Sequence, residues 1–155
     1  MPERAIRPFT AREERIASVL LRIVGALTTL AYRATGGRVG GKFLRGAPVI
    51  LVTTTGRKTG RPRTVPLIYL EDGDDLVVVA SKGGMRHHPA WYRNLEANPD
   101  VEVEIGSDKR QMRARRASDE EKAEFWPRLT KIYRDYDDYQ ARTDRNIPVV
   151  ILSPR

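Results

Sequence analysis

At 155 residues, with 40% hydrophobic and 31% charged side chains, the chain suits one soluble domain around a single core. It contains no cysteine, which excludes disulfides, thiolate catalysis, iron–sulfur clusters and cysteine-ligated zinc. A formal net charge of +8 calls for an acidic partner, and nucleic acid, an anionic membrane surface or a polyanionic small molecule would each satisfy it.

Residues 1–10 carry two prolines and mixed charges, the pattern of a loose arm. From Ala11 to about Ala34 the periodicity is helical. Ile16, Val19, Leu20, Ile23, Val24, Leu27, Leu30 and Ala31 recur at i, i+3, i+4 and i+7. Ser18, Arg22, Gly25 and Thr29 occupy the other face, and Arg4, Arg7, Arg12 and Arg15 lie in or just before the first turns. The span from Ile16 to Tyr32 has one internal charge and falls short of the roughly 20 apolar residues of a membrane span. Two placements stay open for this helix: packed on the core, or lying on an anionic membrane surface. The glycine-rich stretch 36–41 ends it.

The rest reads as β-rich. Strands are predicted over Pro48–Thr55, Arg63–Leu70 and Leu76–Ser81, the last two joined by the turn Asp72-Gly73-Asp74-Asp75. Val77, Val78 and Val79 in succession imply a strand covered on both faces. A short helix over Pro89–Asn98 is stopped by Asn98-Pro99. Val101, Val103 and Ile105 alternate with Glu102 and Glu104, as in a half-exposed strand. Another strand runs over Arg110–Ala117 with Gln111, Arg113 and Arg115 on one face. Ser118 followed by Glu121 has the form of a capping box opening a helix to about Ile132. A second short helix covers Tyr136–Thr143, and Ile147–Leu152 is the final strand. Six short, mostly antiparallel strands with inserted helices predict a small α+β barrel, and without βαβ alternation a Rossmann fold is not expected. Residues 1–35 are expected to form an arm and amphipathic helix, and 36–155 the barrel domain.

Three segments carry candidate chemistry. First, the strand Leu51–Thr55 runs into a glycine-flanked turn where Arg57, Lys58, Arg61 and Arg63 crowd together. Clustered cations beside free backbone N–H groups suit a phosphate or carboxylate ligand, although a solvated hairpin tip has the same composition. Second, Ser81-Lys82-Gly83-Gly84 ends a buried strand, placing a hydroxyl and an ammonium at the sheet edge beside a tight backbone path. Trp91, just inside the next helix, suits a core anchor. Third, Tyr133, Tyr136 and Tyr139, at spacing of three, predict one aromatic side of a helix. They would either roof a flat ligand or pack on the barrel. The two histidines, His87 and His88, are adjacent and lack metal-ligand spacing, so neither a hydrolase triad nor a metal site is expected.

Taken in order, Thr53–Gly60 with Pro62-Arg63, Ala80–Gly84, Pro89–Pro99 and the three tyrosines resemble the deazaflavin-dependent nitroreductase family of actinobacteria, whose members include quinone reductases. Each motif alone is weak; four in register over residues 45–153 are strong. The resemblance implies a split β-barrel of the FMN-binding type that binds the deazaflavin coenzyme F-420, which carries a phosphate and an acidic oligoglutamate tail. It implies that Arg57, Lys58, Arg61 and Arg63 meet those anions and that Ser81, Lys82 and Gly83 lie beside the cofactor. Pro89, Trp91 and Asn94 would form its wall, while Ile68, Tyr133, Tyr136 and Tyr139 line the acceptor side. Hydride transfer from the reduced coenzyme to a quinone, nitroaromatic or activated enone follows, with Tyr133, Tyr136 or Ser81 as proton donor. Ile68 stands where some nitro-drug-reducing members place an aromatic, so the resemblance supports cofactor use more firmly than nitro-drug reduction. Two alternatives accompany it: an FMN-binding barrel like pyridoxamine-phosphate oxidases, and a nucleic-acid-binding barrel using Arg110, Arg113, Arg115 and Arg116. No secretory leader is legible, so the expected compartment is the cytoplasm, with the inner face of the plasma membrane as a docking surface.

Overall fold

The computed structural model describes residues 6–43 and 46–155; the expectation for Arg4 therefore lies outside the described residues. Helix α1 (Ala11–Thr35) precedes strands β1 (Val49–Thr55), β2 (Pro62–Asp72) and β3 (Asp75–Val79). A single 3-10 turn (Lys82–Gly84), helix α2 (Ala90–Ala97), strands β4 (Asp100–Ile105) and β5 (Asp108–Arg116), helices α3 (Asp119–Ile132) and α4 (Asp135–Arg142), and strand β6 (Val149–Pro154) complete the chain. The predicted elements are present, with boundaries shifted by one or two residues.

The six strands close into an antiparallel barrel in the order β1-β2-β3-β6-β5-β4. Closure pairs every strand on both sides and leaves no edge open. Side chains alternate across the wall, and each face has its own core. Inside lie Ile50, Val52, Val78, Val103, Val150 and Leu152, with Trp91 and Tyr92 of α2 against them. Outside, Val77, Val79, Val149 and Ile151 pack under Phe125 and Leu129 of α3 and the tyrosines of the α3–α4 region. That double covering is why the valine run of β3 does not alternate with polar residues. Each such aliphatic side chain contributes about 1.5–3 kcal/mol when fully buried.

Helix ends are set by local chemistry. Thr10 and Glu13 form a capping box at the start of α1, and Gly36, at φ 62, caps its end in the left-handed region that glycine favours. Ser118 and Glu121 make the predicted box on α3.

Helix α1 lies against the barrel with its polar face inward. Glu14 is buried and accepts the backbone N–H of Arg86 at 2.6 Å. The Ser18 hydroxyl meets Met85 Sδ at 3.7 Å, and Gly25 approaches Pro66. Tyr32, also buried, accepts from Gly106 N–H at 2.7 Å, and Arg33 bridges Glu104 at 2.8 Å. The apolar stripe faces away: Val24 is 57% exposed, Leu27 62% and Leu30 68%. At 25 residues the helix is, by length and composition alone, long and apolar enough to cross a membrane, which corrects the shorter span read from Ile16 to Tyr32. Its polar inward contacts favour a helix lying along the barrel. Glu104 departs from the half-exposed pattern predicted for β4 because Arg33 draws it under α1, where it is buried. Residues 6–10 are not loose either: Phe9 lies 4.6 Å from the Arg142 guanidinium and Arg7 pairs with Glu13.

Candidate active site

The basic turn connects β1 to β2. Asn94 of α2, buried beneath it, fixes its position. Asn94 Oδ1 accepts from Arg57 N at 3.2 Å and from the Arg57 guanidinium at 3.1 Å, while its amide donates to Thr54 Oγ1 at 3.1 Å. The N–H groups of Gly56, Arg57, Gly60 and Arg61 all have partners within the protein. The N–H groups of Lys58 and Thr59 at the tip have no such partner among the described residues, so the expected free backbone donors reduce to these two beside the side-chain cations. Arg57, Lys58, Arg61 and Arg63 are exposed, and among the described residues none forms an ion pair. A cleft of about 300 Å³ opens beside the turn, but Asp100 and Glu102 line its far wall. Those carboxylates repel an anion and favour the side toward Asn94.

The Ser81–Gly84 segment is a left-handed corner. Lys82 has φ 44, the sole positive φ outside glycine among the described residues, and Gly83 and Gly84 follow at 62 and 78. Such a strained position marks functional segments when the surroundings enforce it. Here they do. Arg145 donates to the carbonyls of Ala80 at 3.0 Å, Ser81 at 2.8 Å and Met85 at 3.0 Å. Arg142 donates to Gly83 O at 2.8 Å. Gly84 fits against the α4 backbone so closely that a Cβ would lie 2.5 Å from Tyr139 O. Lys82 is half-buried, and desolvation holds its ammonium below the usual lysine pKa; Glu14 opposes that shift, and Arg22, Arg145 and Arg93 reinforce it. Three cations acting on a fourth make the corner attractive to a negative ligand.

Helix α1 bridges this corner. Leu21 lies on the same face as Glu14, Ser18, Gly25 and Tyr32, the face that contacts the barrel, yet it is 51% exposed. Arg22, on the next position of the helix, is close enough to Lys82 to act on its charge.

The tyrosines do not share one helix. Tyr133 ends α3 in an extended conformation, φ −145, while Tyr136 and Tyr139 belong to α4. The break still brings the rings together: centroids are 5.1 Å apart for Tyr133–Tyr136, 6.0 Å for Tyr133–Tyr139 and 6.3 Å for Tyr136–Tyr139. Phe43 adds a ring 5.8 Å from Tyr133, and Ile68 packs on the same cluster. The Tyr133 and Tyr139 hydroxyls share a hydrogen bond of 2.8 Å. Burial, and then the bond to Tyr139, raises the Tyr133 phenol far above its ordinary pKa; burial does the same to Tyr136. These phenols stay protonated across the physiological range and can donate but not act as bases.

The structure thus brings together Ile68, Tyr133, Tyr136 and Tyr139, and sets Tyr139 against Gly84 of the corner. It joins Arg57 to Asn94. Ser81 and Pro89 flank the corner, whereas Trp91 sits inside the barrel at 7% exposure, as a core residue. Sequence reasoning missed Glu14, Arg142, Arg145 and Phe43, whose roles depend on contacts between distant segments. His87 and His88 lie in the loop before α2, partly exposed, and both line one cavity. Two of the four cations of the nucleic-acid alternative are engaged within the fold: Arg110 pairs with Asp108 and Arg115 with Glu121, each at 2.8 Å.

With this geometry established, similarities to known proteins become informative. A family profile described as F420H(2)-dependent quinone reductase matches residues 18–154. A Mycobacterium tuberculosis protein described as an F420H(2)-dependent quinone reductase is 41% identical over 146 residues, covering 92% of this chain and 95% of its own. The solved structure of an F420-H2 dependent reductase is 43% identical with a TM-score of 0.64, covering 68% of this chain and 94% of that one. Another, described as a domain-swapped dimer, is 37% identical with a TM-score of 0.66, covering 83% and 96%.

Proposed function

The chain belongs to the F420H(2)-dependent quinone reductase family, and from that premise we propose that it reduces a quinone with coenzyme F-420 at the corner formed by Ser81–Gly84. The protein is an oxidoreductase of the split-barrel fold. The observation that carries the finer reading is the strained corner at Lys82, held by Arg142 and Arg145 and packed through Gly84 against Tyr139 of the phenol cluster. The residues suit the cofactor by their donor chemistry. Arg57, Lys58, Arg61 and Arg63 have no carboxylate partners among the described residues and would take the phosphate and acidic tail. A Cβ on Gly83 would meet open space, so ligand has room to approach that backbone. FMN, with its single phosphate, would leave part of this charge unanswered and ranks second.

When bound, the reduced deazaflavin supplies two electrons as hydride. The protein's part is to orient, to exclude water and to deliver a proton. Arg145 and Arg142 hold the corner by its carbonyls. Helix α1, held beside the corner by Glu14 and Ser18, shields one side of it and brings the charge of Arg22 near Lys82. The proton would come from Tyr133, whose hydroxyl is hydrogen-bonded to that of Tyr139, or from the Ser81 hydroxyl at the corner. Nitroaromatics and enones are further acceptor classes for the same step; Ile68 leaves the pocket without the aromatic wall of the nitro-drug reducers. Mixing reduced coenzyme anaerobically with quinones, nitroaromatics and enones tests this. Quinones should be reduced fastest. Absence of turnover with every acceptor, alongside turnover of the FMN-loaded protein, would overturn the assignment.

The outward apolar stripe of α1 supports a peripheral position on an anionic membrane from the cytoplasmic side, where a lipid quinone would be within reach. Val24→Glu with Leu27→Glu, both at exposed positions, should leave the barrel folded and abolish sedimentation with anionic liposomes. Equal sedimentation of the variant would exclude this docking.

A further inference from the structure

A cavity of about 390 Å³ opens between the loop before α2, the end of β5 and the loop before β6. Arg86, His88, Arg93, Arg116, Arg145 and Asn146 line it, and none of its lining residues is a carboxylate. They come from four separate segments, so closure of the barrel rather than local sequence gathers the charge. Like charges drawn together oppose folding unless something negative offsets them.

The cavity is organised as well as basic. Arg145 is half-buried and spends its remaining donors on backbone carbonyls, which fix the guanidinium without neutralising it. One of its nitrogens also lies 3.0 Å from His88 Nδ1. Arginine only donates, so Nδ1 accepts and the ring hydrogen sits on Nε2. Desolvation, and then the charge of Arg145, holds His88 below the ordinary histidine pKa, so the ring is a neutral donor near pH 7. The imidazole rests on Tyr92 with centroids 4.8 Å apart. Arg116 is held at the same opening by a 3.3 Å bond to Asn146 O, and Arg93 projects from the exposed face of α2. Glu96 acts on His88 from that face but does not line the cavity.

We propose that this cavity is a second anion site, binding a phosphate or carboxylate group between the Nε2–H of His88 and the guanidinium groups of Arg93 and Arg116, apart from the basic turn at Arg57–Arg63. Its volume, at the small end of the roughly 300–1,000 Å³ of ligand pockets, suits one compact phosphate ester or dicarboxylate. Two sources share this chemistry: the acidic tail of the coenzyme, reaching past α2, or an independent anionic metabolite.

Inorganic phosphate is the probe, titrated into the free protein at constant pH and ionic strength. The chain has two histidines, so the ring-proton NMR spectrum holds two sets of signals, and His87→Gln assigns them. The His88 signal should move to saturation with a midpoint in the millimolar range, on the order of two or three charge-assisted bonds to a small ion. Arg116→Gln should weaken that midpoint about tenfold or more, through loss of one charge-assisted contact. Arg93→Gln, on an exposed helix face, provides the same test should Arg116→Gln disturb β5. Arg57→Ala with Lys58→Ala should leave the midpoint unchanged. A linear drift without saturation, identical in Arg116→Gln, is the response of a solvated groove and overturns the proposal. Repeating the titration with coenzyme bound separates the sources. A coenzyme-induced His88 shift that blocks phosphate assigns the site to the tail; undisturbed phosphate binding assigns it to a separate anion.

Discussion

The basic turn and the tyrosine cluster, proposed to meet the coenzyme and the acceptor, are built in two different ways. The turn exposes all its cations and depends on one buried amide, Asn94, for its placement. The tyrosines are core: Tyr133 is 6% and Tyr136 4% exposed, and each packs against the outer face of β3 and β6. Charge recognition works across solvent and leaves the side chains free of structural duty. The proton donor proposed for this cluster would need a dry, rigid surround, and the rings that would supply it also hold α3 and α4 on the barrel. The turn can therefore be altered without loss of the fold, whereas the cluster couples chemistry to stability.

The largest test of this contrast is Tyr136→Ala. Removing a fully packed ring should cost about 3–5 kcal/mol in urea denaturation, against about 0.5 kcal/mol or less for Arg57→Ala. Equal costs would erase the distinction. Tyr133→Phe keeps the ring and deletes the hydroxyl; quinone turnover should fall by about 10²–10⁴ while coenzyme affinity stays fixed. Wild-type rates would return the cluster to a purely structural role. The turn should show the reverse profile: Arg57→Ala with Lys58→Ala should weaken coenzyme binding by about 1–3 kcal/mol per lost contact in a fluorescence titration, with an unchanged melting temperature.

The smallest effect is a pH dependence confined to the cluster. Tyr133 and Tyr136 have folded pKa values raised by burial. Their stabilising contribution is complete below about pH 10, where unfolded phenols begin to ionise. Above it the unfolded state loses protons that the folded state keeps. Stability should then fall with rising pH by about 1.4 kcal/mol per unit for each phenol. Tyr136→Phe should shallow that alkaline limb in a pH series of urea midpoints, and the double variant of the turn should not.

Much of the architecture was legible because its signals are local. Ser118 with Glu121 declares a helix start, Asn98-Pro99 a stop, and Asp72–Asp75 a hairpin that pairs Asp72 with Asp75. Periodicity found α1 but not its orientation, since an apolar stripe has the same spacing whether it meets a core or a lipid surface. What turned the polar face inward is Glu14 against Arg86 and Arg33 against Glu104, pairs far apart in sequence. The site divides similarly. The cations of the turn and the three tyrosines stood out by composition. The break after Ile132 that folds Tyr133 back onto Tyr139, and the arginines that fix the corner through its carbonyls, leave no local trace.

The order of the barrel strands has a kinetic consequence. β3 must wait for β6 before its second edge is paired, Val77 meeting Ile151 and Val78 meeting Val150. Such non-local pairing makes loop closure precede reward and slows folding. During synthesis, β1, β2 and β3 emerge long before their closing strand, and until α3 and β6 follow, the valine run has one unpaired edge and an uncovered outer face. A nascent chain paused before residue 119 is therefore exposed to aggregation.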